Sequence, residues 1–152
     1  MQKTLSFGIP CFNSAEYMSH CISSILEGSD YADDVQVIVV DDGSTKDNTF
    51  EIACDWQKKY PNLVKAVHQE NGGHGMAVLK GLEQADGVYY KVVDSDDWLD
   101  ADALKKLLNL LRSFITNNIR VDLVISNYVY EHVEDDTFNT INYAGVLPKD
   151  RI

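Results

Sequence analysis

The sequence predicts an α/β protein with an open, mostly parallel sheet and helices on both faces. Two observations carry this prediction. Short apolar runs typical of strands alternate with segments whose apolar residues recur at helical spacing, and the connections between them are short. Such alternation forms right-handed βαβ units. In these sheets ligands bind beyond the carboxyl ends of the strands, so functional residues are expected there.

Five strands are predicted from the apolar runs. The second is almost entirely β-branched, as expected of a strand buried on both faces of a parallel sheet. The first ends at Pro10. A further run after the fifth strand either continues it or begins another, and the remaining polar tail is expected to be irregular. The five runs are residues 5–9, 35–40, 63–68, 88–93 and 121–126, the further run is 127–133, and the tail is 134–152.

Helix-start signals precede four helices. Asn13 with Glu16 three residues later predicts a capping box for the first. Asp100 or Asp102 is expected at the start of the fourth, whose leucines form one stripe. The second and third helices are expected to span residues 47–60 and to end near residue 85, with Gly72, Gly73 and Gly75 in a flexible loop before the third.

Length and composition indicate one domain of ordinary size. The 152 residues carry 13 Lys and Arg against 24 Asp and Glu, so the net charge is −11. This acidity argues against a nucleic-acid partner, although a bound metal ion would allow phosphate binding. The three cysteines form no CxxC pair, which disfavours zinc sites and disulfides and suits a cytoplasmic location. Neither a signal peptide nor an apolar run of membrane-spanning length is present in the sequence.

The sharpest functional signal is the acidic segment Asp94-Ser95-Asp96-Asp97 after the fourth strand. Three carboxylates within four residues repel one another unless a cation lies between them. A hard divalent ion with oxygen ligands satisfies that need and bridges to substrate phosphates. The alternative is that the acids only favour the start of the next helix, which explains one or two of them.

Three further segments lie at predicted strand ends. Asp42, within Asp41-Asp42-Gly43-Ser44, either binds a base or ribose or belongs to a simple turn. The loop Asn71-Gly72-Gly73-His74-Gly75 either brings backbone N–H groups to a phosphate or is only flexible, and His74 is a candidate phosphate or sugar contact. Phe12 either stacks on a nucleobase or faces the core. The other histidines are expected to be structural or solvent-facing.

Together these segments resemble the family 2 glycosyltransferases with the GT-A fold, a Rossmann-like fold that binds nucleoside diphosphate sugars. The matching stretches include "SFGIPCFNSAEYMSHCISSIL", "VQVIVVDDGSTKDNTFEIA" and "QENGGHGMAVLKGLEQADGVYYKVVDSDDWLDADAL", and they cover roughly residues 5–111. The combination of DDGST followed by DSDDW is specific to the family. One departure is Ala77-Val78-Leu79, where many members have Ala-Arg-Asn.

The resemblance implies a donor that is most often UDP-linked, with Mn²⁺ or Mg²⁺ on its diphosphate. It assigns base stacking to Phe12, uracil recognition to Asp42, and metal and ribose binding to Asp94-Ser95-Asp96, with Asp97 as an adjacent metal ligand. The candidate substrate-binding residues are Pro10, Phe12, Asn13, Asp42, Gly73, His74, Asp94 and Ser95, and the candidate metal ligands are Asp96, Asp94 and Asp97.

The expected activity of the whole enzyme is inverting sugar transfer to a hydroxyl of a glycan or lipid-linked acceptor. Family members place the catalytic base and the acceptor site well after the metal motif, so the base is expected beyond Ile152. Residues 1–152 are therefore interpreted as a single donor-binding domain, truncated before the acceptor part and inactive by itself. Membrane association is expected only through parts outside this chain, at the inner face of the membrane.

Three other functions share parts of this pattern, and particular residues disfavour the first two. A sugar nucleotidyltransferase has a Gly-rich loop with a basic residue after strand one, where this chain has Pro10-Cys11-Phe12-Asn13. A phosphoacceptor receiver domain needs a Lys after strand five, where Ser126-Asn127 stands. The third alternative is a non-catalytic module that binds sugar nucleotides.

Overall fold

A computed structural model describes residues 2–132 and 137–143, except for the side chain of residue 132. The chain divides into two compact units, Met1–Asn117 and Asn118–Ile152. The first unit contains the parallel sheet and its helices, and the second contains a hairpin. No helix of the described residues has the length and apolar character that a membrane span requires.

The sheet of the first unit has four parallel strands in the order β3-β2-β1-β4. The central strands β1 and β2 are almost entirely buried, whereas β3 and β4 lie at the edges and are partly exposed. This order explains why residues 35–40 are continuously apolar, because β2 is covered on both faces. The strands are β1 (Lys3–Cys11), β2 (Val35–Asp42), β3 (Val64–Gln69) and β4 (Gly87–Val92).

Helices cover both faces of the sheet, as the sequence predicts. Right-handed crossovers place α1 (Met18–Gly28) and α2 (Thr49–Lys59) on one face and α3 (His74–Glu83) on the other. Helix α3 packs on β1 and β2, where Ala77 lies with Ile38 and Val40. Helix α4 (Ala101–Thr116) contacts α1 and β1. Because all four strands are parallel, the carboxyl ends of β1, β2 and β4 lie at the same edge of the sheet.

Close packing of α3 against the sheet depends on two glycines. A Cβ atom on Gly8 would overlap the hydroxyl of Tyr90, and one on Gly81 would lie 2.6 Å from the same oxygen. The Tyr90 hydroxyl donates to the carbonyl of Val78 at 3.2 Å, and burial raises the pKa of Tyr90. Tyr90 thus fills the space that these glycines leave between strand and helix.

Strand β1 is longer than the sequence predicts. It continues through Pro10 to Cys11, and Pro10 pairs in register with Val40. Pairing between β1 and β4 extends only to Gly8 and Val92. Among the described residues, Pro10 therefore has β2 alone as a neighbouring strand, and its missing N–H removes no bond to β4.

The predicted fifth strand, residues 121–126, is wrong. This segment has no regular secondary structure, and Leu123 is 74% exposed. An apolar run forms a strand only where another strand pairs with it, and this run pairs with no strand among the described residues. The further run, residues 127–133, does begin a strand of its own, because the second unit contains an antiparallel pair, β5 (Tyr128–His132) and β6 (Thr137–Ile141). Strand β6 also corrects the expectation of an irregular tail, while residues 133–136 and 144–152 of that tail lie outside the described part.

Of the four helix starts, those of α1 and α3 differ from the predictions, that of α2 lies two residues later at Thr49, and that of α4 agrees. Helix α1 begins at Met18, so the capping box at Asn13 is wrong. Helix α3 begins at His74, which places Gly75 in its first turn rather than in a loop. The prediction for α4 is confirmed, because the Asp100 carboxylate accepts a hydrogen bond from the Ala103 N–H at 2.8 Å.

Candidate functional site

The loops after β1 and β2 are joined through Asn13. Its backbone is left-handed, with φ of 51°, and its N–H donates to the Ser44 hydroxyl at 2.9 Å. Its side-chain oxygen accepts from the N–H groups of Thr45 at 3.2 Å and Lys46 at 3.0 Å. Asparagine tolerates this backbone conformation and bonds readily to nearby main chain, which is why it is found here rather than at a helix cap.

Asp42, the last residue of β2, binds the glycine-rich loop. Its carboxylate accepts from Gln69 Nε2 at 2.6 Å and from the N–H groups of Gly72 at 2.9 Å and Gly73 at 2.8 Å. Burial of Asp42, which is 3% exposed, acts to raise its pKa. The three donors outweigh burial and lower the pKa below its usual value. The ionised carboxylate is therefore part of the folded loop structure.

The glycine-rich loop and the loop after β1 both reach the acidic segment after β4. His74 Nε2 lies 2.9 Å from Asp94 Oδ1. On the other side the Ser95 hydroxyl donates to the Ser14 hydroxyl at 2.9 Å, and the Ser14 N–H donates to Thr49 Oγ1 at 2.8 Å. A continuous set of hydrogen bonds therefore joins the ends of β1, β2, β3 and β4.

The acidic segment is a turn in which the Asp97 N–H donates to the Asp94 carbonyl at 3.0 Å. Asp94, Asp96 and Asp97 are exposed residues, although the protein partly covers the carboxyl group of Asp97. Burial and then the charges of Asp96 and Asp94 raise the pKa of Asp97, while Lys91 opposes them. The acids thus repel one another, as the sequence predicts. Burial likewise raises the pKa of the Cys21 thiol beneath this turn to about 12.

The donors at this turn suit a metal ion that arrives with phosphate. Among the described residues no three His, Cys, Asp or Glu side chains are grouped so as to hold a metal ion by themselves. Mg²⁺ and Mn²⁺ are hard ions that bind one or two carboxylates together with waters and substrate phosphate oxygens. Asp94 and Asp96 provide such carboxylates, so the chemistry of the donor set fits a metal diphosphate rather than a metal alone.

Phe12 and Pro10 differ in accessibility. Phe12 is 49% exposed, which removes the alternative that it faces the core and leaves its ring open to a planar ligand. The Phe12 N–H donates to the Ser14 hydroxyl at 3.1 Å. The same hydroxyl accepts a hydrogen bond from Ser95, so the backbone of Phe12 is held close to the acidic turn. Pro10 is buried within β1, where only its place at the strand end connects it to the site.

Several residues of this network escaped the sequence interpretation. Gln69 binds Asp42, and Ser14 connects Phe12 to Ser95. His68, expected to be structural or solvent-facing, has Nδ1 2.7 Å from the buried Asp41 carboxylate. These contacts join residues far apart in the chain, and small polar side chains near strand ends give no pattern that identifies their partners.

Comparison with known proteins gives the family. The chain matches the glycosyl transferase family 2 over residues 6–139. It is 35% identical over 137 residues to glycosyltransferase GlyG of Streptococcus pneumoniae, which covers 90% of this chain and 42% of the relative. It is also 35% identical over 106 residues to the poly(ribitol-phosphate) beta-glucosyltransferase of Bacillus spizizenii, covering 69% and 17%. The chain therefore spans less than half the length of these relatives.

Solved structures agree with this assignment. The structure of S. aureus TarS 1–349 in complex with UDP-GlcNAc matches with a TM-score of 0.62 and 30% identity, covering 74% of this chain and 32% of that one. The mannosyltransferase PcManGT of Pyrobaculum calidifontis, in complex with GDP-Man and Mn²⁺, shares the fold with a TM-score of 0.64 at 24% identity, covering 89% and 37%. The predicted GT-A fold is thus confirmed. The chain belongs to glycosyl transferase family 2, the family that its DDGST and DSDDW segments resemble.

Proposed function

We propose that this chain is the donor-binding part of a glycosyltransferase that takes sugar from a UDP-linked donor for glycan or cell-surface polysaccharide synthesis. The observation that carries the proposal is the hydrogen-bonded set of strand-end loops, which joins Asp42 to Gly73, His74 to Asp94, and Ser95 to Ser14. Support also comes from the similarity to a TarS structure that contains UDP-GlcNAc and to a relative named as a glucosyltransferase.

The nucleoside end of the donor is assigned to the loops after β1 and β2. The exposed ring of Phe12 stacks on the base, a contact worth about 1–3 kcal/mol in nucleic-acid sites. Asp42 has one carboxylate position left beside its three donors, and that position accepts the N–H of uracil. Asn13 and Pro10 hold the loop that carries Phe12, and Ser95 with Asp94 binds the ribose.

The diphosphate end is assigned to the turn after β4 and the start of α3. Asp96 and Asp94, with Asp97 adjacent, would hold Mn²⁺ or Mg²⁺ together with diphosphate oxygens, and the ion would neutralise negative charge on the leaving diphosphate. Gly73 and His74 lie at the amino end of α3, where backbone N–H groups and the helix dipole favour phosphate. His74, whose Nε2 lies 2.9 Å from Asp94 Oδ1, is assigned to the phosphates, and a metal ion on Asp94 would compete with this contact.

Titration calorimetry with nucleotides tests this proposal. With Mn²⁺ present, UDP is expected to bind more tightly than ADP or GDP, because the proposal assigns uracil recognition to Asp42 and base stacking to Phe12. Equal or tighter binding of ADP would overturn the uridine assignment. Absence of binding for all three nucleotides would overturn the donor-binding function itself.

A further inference from the structure

Both oxygens of the Asp42 carboxylate are used inside the protein. Oδ1 accepts from Gln69 Nε2 and the Gly72 N–H, and Oδ2 accepts from the Gly73 N–H, all within 2.6–2.9 Å. An ionised carboxylate offers about four acceptor positions, so three of them are already occupied. The protein therefore uses most of the binding capacity of this side chain to hold its own loop.

Gln69 is held in register with Asp42. The two residues are paired across β2 and β3, and each is the last residue of its strand. The chain then leaves β3 and returns within four residues, so that the N–H groups of Gly72 and Gly73 donate to the Asp42 carboxylate. Gln69 thus fixes the position of the carboxylate that holds the loop.

Close approach of the two backbones gives an independent indication that this loop position is specified. Gly43 has φ of +71°, and a Cβ atom on it would lie 2.8 Å from the Asn71 nitrogen. Gly73 has φ of +87°, with open space around the position of a Cβ atom. Gly43 is therefore needed for contact with the loop, whereas Gly73 is needed for the backbone turn that leads into α3.

We propose that Asp42 and Gln69 are positioning residues that fix the loop of residues 71–73 and thereby set where His74 meets Asp94. The expected effect on donor binding rests on the proposed function, since the loop that these residues fix is the one assigned to the diphosphate. Asp42 then has two roles, base recognition and fixing the loop, and Gln69 has the role of fixing the loop. The nucleoside and diphosphate ends of the site are then connected through one carboxylate.

An amide substitution removes this arrangement with little change in size. In Asp42→Asn the side-chain nitrogen is a donor, so it meets a backbone N–H group instead of accepting from it. At least one loop hydrogen bond is lost. Gln69→Met keeps the length of the side chain but removes its donor. Glu70→Gln is the matched control, because it removes the same charge as Asp42→Asn from an exposed neighbour of Gln69.

Hydrogen exchange of the Gly72 and Gly73 amides, measured by NMR without ligand, tests the positioning role directly. We expect exchange to become at least tenfold faster in Asp42→Asn and several-fold faster in Gln69→Met, and to stay unchanged in Glu70→Gln. Amides of β1 and β2 serve as the internal reference for folding. If Asp42→Asn does not fold, Gln69→Met decides, and unchanged loop exchange in that variant would overturn the proposal.

UDP binding with Mn²⁺ supplies the functional readout. Gln69→Met is expected to weaken UDP several-fold in a chain that stays folded, as slow exchange of the β1 and β2 amides would report, so that the lost affinity does not come from unfolding. Unchanged UDP affinity in Gln69→Met, despite a loosened loop, would reject the consequence for the site. If the native chain does not bind UDP, the proposed function fails, whereas the exchange measurement still decides whether Asp42 and Gln69 fix the loop.

Discussion

The ion pair between Asp34 and Arg112 gives a prediction whose magnitude follows from the structure. The Asp34 carboxylate accepts from Arg112 Nε at 2.8 Å and Nη2 at 2.7 Å, and from Thr4 Oγ1 at 2.6 Å. The hydrogen bonds from Arg112 are the main cause that lowers the pKa of Asp34 from 3.8 to about 2, whereas burial acts to raise that pKa. The pair fastens α4 to the segment that enters β2, so its removal should loosen the packing of that helix.

The size and sign of the effect follow from linkage. At 1.36 kcal/mol per pKa unit, the shift corresponds to about 2 kcal/mol of stability. The Arg112 side chain is 37% exposed and that of Asp34 16%, so solvent screening reduces the contribution toward about 1 kcal/mol. Because the folded-state pKa is depressed, this stability is present above pH 3.8 and is lost as the pH falls toward 2.

Urea denaturation of the native chain and Asp34→Asn between pH 7 and pH 3 measures this contribution. The difference in unfolding free energy should be about 1–2 kcal/mol at pH 7 and should decrease as the pH falls below 4. Asp30→Asn is the matched control, since Asp30 pairs with Lys105 of the same helix at 3.1 Å but both side chains are well exposed. Its loss should stay below about 1 kcal/mol. A pH-independent difference, or an equal loss in both variants, would refute the reasoning.

Two further substitutions test the packing and the caps. Gly8→Ala should destabilise the chain by about 1–3 kcal/mol, because the new methyl group overlaps the Tyr90 hydroxyl; part of the loss should be recovered in a Tyr90→Phe background, and a neutral result would contradict the close packing. Asp100→Ala should cost about 1 kcal/mol through loss of the α4 cap. Asp102→Ala, which removes an acid of the first turn that makes no cap bond, should cost less, and thermal unfolding that ranks the two in the opposite order would reject Asp100 as the cap.

Periodicity and strand-end position predicted most of the first unit. The continuous apolar run of β2 and the helical stripes of α1 and α4 are strong local signals, and the structure confirms them. The apolar run at residues 121–126 gave an equally clear strand signal, yet it forms no strand, because pairing depends on a neighbour that a local pattern does not reveal.

The site was less accessible to sequence reasoning than the fold. The sequence does identify the acidic residues at the ends of β2 and β4, because carboxylates that end an apolar run form a recognisable pattern. Asn13 satisfied the pattern of a capping box, but its side chain binds the loop after β2 instead. The partnership of Asp42 with Gln69 and the glycine-rich loop depends on strand register and on a close turn, and both are properties of the assembled sheet.

The proposed metal diphosphate site is tested most directly by the affinity of UDP with and without Mn²⁺, in the native chain and in Asp96→Asn. The substitution keeps the size of the side chain and removes its charge. In the native chain Mn²⁺ should tighten UDP by roughly 5–150-fold, the usual range of coupling between two ligands, and UDP should tighten Mn²⁺ by the same factor. In Asp96→Asn the fold should be retained and UDP affinity should no longer respond to Mn²⁺. A metal effect of unchanged size in Asp96→Asn would reject Asp96 as the principal ligand and contradict the account of the acidic turn.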